Sequence, residues 1–286
     1  MFSRKEVGGQ QNPDALSDEV VRGFSMRHLW NFAIQSDEHD WELMAETARL
    51  NGYMGEIGML NPENFSARLA RRYNWSSARI PERPETHAVL LTMAAVFERM
   101  IGTPEPIMAL AGSGNQGLAA SLPLVAWAQA KSLPPERLWR AMLLSCLITV
   151  YIKSFTGLLT PICGGSSVAT SGASGGIVFL EGGGLEDVVA AVQNCLVATG
   201  GMLCDGAKRS CVLKVGSGVQ SAVTAAMMAL EGVRLENGEG IVGKDTESTI
   251  ANFGHLVLTT FGSVDDGIIE MIETERRAGA LHDTAV

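Results

Sequence analysis

Residues 85–101 read Glu-Thr-His-Ala-Val-Leu-Leu-Thr-Met-Ala-Ala-Val-Phe-Glu-Arg-Met-Ile. Val89, Leu90, Met93, Val96, Phe97 and Met100 recur three and four residues apart, the spacing that lines one face of an α-helix. The same period continues in both directions. Beyond a loop from Gly102 to Gly114, residues 117–131 read as helix, and Pro123 is expected to force a kink or an early turn because it removes a ladder donor. Pro134-Pro135-Glu136 opens a helix that runs on through Leu144, Ile148 and Ile152. Leu185–Leu203, Val215–Glu231 and the stretch from His255 to Ile272 follow in kind, with a polar loop over Gly232–Gly243. Upstream, Asn61-Pro62 starts a helix carrying Phe65, Leu69 and Tyr73. Before it, apolar residues from Val20 to Met44 recur at helical spacing, with Ser36 or Asp37 as an N-cap. Strand signals are few, and Gly175–Leu180 is the best of them. The fold class is mostly α.

Ile80-Pro81-Glu82-Arg83-Pro84 is the clearest linker, between a charged first third and a more apolar remainder. The expected organisation is a mobile polar lead over residues 1–20, a helical segment over 21–84, a main domain over 85–275 and a tail over 276–286. Apolar residues make up 46% of the 286, enough for a sizeable core. The net charge of −9 argues against a general nucleic-acid binder, which would present a basic face. Residues 1–20 show no apolar leader, and five cysteines then point to a reducing, cytoplasmic setting. The uncharged runs Ser154–Leu180 and Val188–Leu203 hold proline, glycines or amides, so they read as buried soluble segments and no membrane partner is expected.

The cysteines divide into two kinds. Cys146 and Cys195 lie inside apolar helical stretches, where a thiol is usually an inert small core residue. Cys163, Cys204 and Cys211 fall on Gly-flanked breaks, where backbone N–H groups can stabilise a thiolate. Three thiolates can hold a 4Fe–4S cluster with one iron open; they can equally be buried structural thiols or a zinc site short of a ligand. Gly112-Ser113-Gly114-Asn115-Gln116-Gly117 opens a helix, either as an anion site at its N-terminus or as a plain helix-starting turn. No Gly-Lys-Ser/Thr follows, so it is not a Walker loop. Lys153 ends an apolar helix as a substrate partner, a proton acceptor or a partner of the helix dipole. Asp205 and Lys208 sit between two of the cysteines, Asp205 orienting Lys208, meeting a substrate ammonium or starting an Asp-Gly turn.

Taken together, Gly112–Gly117, Tyr151-Ile152-Lys153, Cys163-Gly164, and Gly201-Met202-Leu203-Cys204-Asp205-Gly206-Ala207-Lys208 with Cys211 resemble the L-cysteine desulfidase family, which belongs with the iron–sulfur L-serine dehydratase α chains. The resemblance covers residues 85–275 best. It implies a helical, serine-dehydratase α-chain-like domain with Gly-rich loops around a 4Fe–4S cluster, held by Cys163, Cys204 and Cys211. It implies a β-eliminating lyase taking L-cysteine or L-serine to pyruvate, ammonia and sulfide or water. The substrate carboxylate would lie on Ser113, Gly114, Asn115, Gln116 and Gly117, with Lys153, Asp205 and Lys208 lining the pocket. Full-length desulfidases also carry an N-terminal half with a cysteine motif that supplies the proton acceptor. Here Thr103-Pro104-Glu105-Pro106 echoes that motif without its cysteine. A separate subunit supplying that half is therefore expected, in a homo- or hetero-oligomer. The alternatives are a cluster-bearing homologue with another amino-acid-like substrate, or a non-catalytic scaffold or binding subunit.

Overall fold

The computed structural model describes residues 18–277, so the proposed lead and tail fall almost wholly outside the described residues. Two helices, α1 (Asp18–Arg22) and α2 (Met26–Gln35), come first. Asp37 caps α3 (Glu38–Leu60), its carboxylate accepting from the His39 N–H at 3.0 Å. Asn64 caps α4 (Phe65–Arg72), accepting from Ser66 at 2.9 Å. The proline-rich linker folds as a 3-10 turn (Ser77–Glu82) and leads into α5 (Pro84–Ile101). The chain continues through α6 (Gly114–Lys131), α7 (Pro135–Thr156), α8 (Val168–Glu181), α9 (Leu185–Thr199), α10 (Cys211–Leu230), α11 (Thr246–Thr259) and α12 (Gly262–Arg277). The described residues contain no strand, only two isolated bridges, and the mostly-α expectation holds.

Two sequence expectations are corrected. Gly175–Leu180 belongs to α8, not to a strand. Nearly all of α8 is buried, and a helix buried on every side loses the polar stripe that would reveal its period. Pro123 does not end α6 early: the helix runs on to Lys131.

α8 is the centre, packed against α6, α7, α9 and α10. Its glycines, alanines and serines let these neighbours approach closely. The buried hydroxyls are satisfied within the helix, as where Ser171 donates to the Ser167 carbonyl at 2.7 Å and Ser174 to that of Ser171 at 2.7 Å. α7 and α10 are long and apolar enough to cross a membrane, and half or more of each apolar window is buried within this fold.

The charged first third is bonded into the same core. Buried Asn51 on α3 donates to Ser121 Oγ at 2.9 Å and accepts from the Met108 N–H at 2.9 Å. Glu98 on α5 is 3% exposed, and its carboxylate accepts from Asn61 (2.8 Å), Asn64 (3.0 Å) and Thr103 (2.7 Å). A buried carboxylate is tolerable only with such donors around it.

Candidate functional site

α7 ends at Thr156, and the chain returns through Pro161 and Ile162 toward α8. There it meets the connection between α9 and α10. Ile162 and Leu203 form an antiparallel bridge: the Cys163 N–H donates to the Met202 carbonyl at 2.7 Å, and the Cys204 N–H to that of Pro161 at 2.8 Å. Two cysteines remote in sequence are thus held diagonally across one bridge by backbone hydrogen bonds. The Cys163 carbonyl accepts from the Ser166 and Ser167 hydroxyls at 3.1 and 2.8 Å, which fixes the turn into α8. Cys211 opens α10, its N–H held by the Lys208 carbonyl at 2.9 Å and its Sγ 3.5 Å from the Gly206 carbonyl.

All three cysteines are free thiols; Cys163 and Cys211 are buried and Cys204 is half-buried. Burial pushes the Cys211 thiol up, the hydrogen bond from the Lys208 segment opposes this, and the nearby Cys163 and Cys204 sulfurs push it further. The three therefore stand close enough for the charge of one to bear on another. Among the described residues, no three His, Cys, Asp or Glu side chains are gathered tightly enough for one metal ion. Thiols on Gly-rich backbone are the donor type that a sulfur-bridged cluster takes. Cys195 is buried and Cys146 half-buried, and burial pushes their thiols up to about 11 and about 12.

The Gly112–Gly117 turn comes to the same place. Ala111 and Gly112 take positive φ angles of 47° and 76°, and the Ser113 hydroxyl caps the first turn of α6. A Cβ on Gly117 would run into the Met108 carbonyl, so the turn needs glycine there. A Cβ on Gly164 would lie 2.9 Å from Gln116 Oε1, and one on Gly165 would lie 3.5 Å from Asn115 Cβ, so the Cys163-Gly164-Gly165 turn rests directly on the start of α6. Gln116 Oε1 is buried and has no hydrogen-bond partner. This buried acceptor, against Gly164, has room for one more donor.

Lys153, in the last turn of α7, is 3% exposed. Burial drops its pKa to about 8, and the Cys204 sulfur opposes that drop. Asp205 pairs with Lys214 on α10, not with Lys208. Lys208 is exposed, and its contribution here is the carbonyl that holds Cys211. Sequence reading missed both Lys214 and Arg99. Lys214 lies one helical turn beyond Cys211, a signal that was available. Arg99 reaches Asn115 Oδ1 at 3.0 Å from the end of α5, across a loop that carries no such signal.

A family model described as serine dehydratase alpha chain matches residues 22–270. A UPF0597 protein of Fervidobacterium nodosum is 43% identical over 267 residues, 93% of this chain and 61% of that protein. UPF0597 proteins of Bacteroides thetaiotaomicron and Clostridium perfringens are 34% and 33% identical over 263 residues, 92% and 91% of this chain and 61% of each relative. The chain thus spans about three-fifths of the length of these curated relatives. No solved structure matches it.

Proposed function

Because the chain belongs to the serine dehydratase alpha-chain family, we propose that it is the cluster-bearing part of a lyase. The reaction is β-elimination from L-cysteine or L-serine, giving pyruvate and ammonia with sulfide or water. The observation that carries this reading is the convergence of Cys163, Cys204 and Cys211, two of them clamped through the Ile162–Leu203 bridge. These three cysteines would hold a 4Fe–4S cluster. When bound, such a cluster supplies an open iron that acts as a Lewis acid on the substrate.

The chain's own residues do the rest. The first turn of α6, from Ser113 to Gly117, presents the free N–H groups of Gly114 and Asn115 and a positive dipole end to the substrate carboxylate. Buried Lys153 keeps a proton-exchanging amine beside Cys204, and its Nζ passes a proton to the departing sulfur or oxygen. Asp205 acts through Lys214, and Lys208 through the carbonyl that seats Cys211. The group that takes the Cα proton is assigned to the stretch of the relatives that this chain does not match, on the same polypeptide or in a separate subunit. Leu159, 97% exposed, with Leu158, Leu203 and Leu213, flanks the three cysteines in sequence and gives that stretch an apolar surface to close upon.

The test is anaerobic reconstitution with iron and sulfide, then a pyruvate assay on L-cysteine and L-serine with and without the remaining stretch. Pyruvate from one of the two supports the reading. A cluster-loaded, complete assembly that makes none overturns it.

A further inference from the structure

We propose that Arg99 is the carboxylate anchor of this site, with buried Gln116 as a second polar contact at the same helix start. The inference rests on the reading above for where the substrate lies, not for what becomes of it. Arg99 ends α5 half-buried, its side chain laid across Gly114, where a Cβ would strike the guanidinium. Nη1 donates to Asn115 Oδ1 at 3.0 Å. That is one of five guanidinium donors, and among the described residues no carboxylate pairs with Arg99. The first-turn N–H groups of Gly114 and Asn115, which have no intrahelical acceptor, lie beside it. A planar fork next to free N–H groups suits the two oxygens of a carboxylate.

Gln116 is the second, independent observation. It is 2% exposed, its Nε2 donates to the Ala111 carbonyl at 3.3 Å, and its Oε1 lies unpartnered against Gly164. That buried acceptor calls for a donor, and the broad terminal torsion of the amide lets it turn toward one bound at the Cys163 side. A cation and an orphaned acceptor at one helix start match the carboxylate and the ammonium of an amino acid.

The experiment is isothermal titration of L-serine, L-serinamide and inorganic phosphate into the reconstituted full chain. L-serine should bind, with L-serinamide about tenfold or more weaker. Arg99→Met should bring L-serine down to the level of L-serinamide while leaving L-serinamide unchanged, and Arg99→Lys should recover part of the loss. If the methionine variant fails to fold, Arg99→Gln reads the same ratio. Equal weakening of both ligands by the substitution, phosphate binding as tightly as L-serine, or no binding at all overturns the proposal. If the binding pattern appears and the complete assembly, with the remaining stretch added, makes no pyruvate, the lyase reading fails and Arg99 stands. If pyruvate forms and the pattern is absent, Arg99 fails and the lyase reading stands.

Discussion

Lys153 is a cation with little around it to keep it charged. Burial lowers it to about 8, so near neutral pH it can exchange a proton, which an exposed lysine does poorly. Lys153→Ala should therefore cost about 100-fold or more in kcat, the usual contribution of a positioned acid or base, with the visible spectrum unchanged. Lys153→Arg should not restore turnover, because a guanidinium holds its proton; pyruvate kinetics alongside absorption spectra check both. His87 gives a second test. It is buried, its Nε2–H donating to Gln129 Oε1 at 3.0 Å and its ring stacked on Trp75, and burial lowers its pKa against the opposing effect of the bond to Gln129. The unfolded chain takes up a proton near pH 6.5, and the folded His87 only at lower pH. Its contribution to stability is thus full above 6.5 and is lost as pH falls through 6.5 toward the folded value. Urea midpoints for His87→Gln should be less sensitive to acidification than those of the wild type. At this scale the sequence shows Cys163, Cys204 and Cys211 by their flanking glycines. It hides the partners Arg99 and Lys214, because nothing local to a cation states which distant loop it will meet.

α7 is legible because one face stays partly exposed and its period survives in the sequence. α5 is buried on nearly every side and is legible by its length and its freedom from glycine, whereas α8 is both buried and interrupted by Gly172, Gly175 and Gly176, which weaken the helix signal. The Ile162–Leu203 bridge is equally illegible: a single bridge shows no alternation, yet it brings the two cysteine loops together. The same scale fixes the cost of disturbing the start of α6. Gly117→Ala would push a methyl into the Met108 carbonyl and should destabilise by about 1–3 kcal/mol in urea unfolding. Asp245, the N-cap of α11, accepts from the Ser248 N–H at 2.7 Å, and Asp245→Ala should cost about 1 kcal/mol by the same measurement.

For the molecule as a whole, the first third and the remainder share one core, tied through Asn51, Asn64 and Glu98. The described residues thus form one helical body, in a chain that spans about three-fifths of the length of its relatives. The reading predicts that pyruvate formation requires the stretch this chain does not match, whereas cluster assembly does not. The central claim is that three cysteines from two loops and one helix start hold one cluster, and it is tested most directly by anaerobic reconstitution of the wild type and of the five single Cys→Ser variants. The wild type should turn brown, with absorbance near about 400 nm and about four irons per chain. Cys163→Ser, Cys204→Ser and Cys211→Ser should each lose the colour, and Cys146→Ser and Cys195→Ser should keep it. A colourless wild type, or five variants that behave alike, would contradict the account.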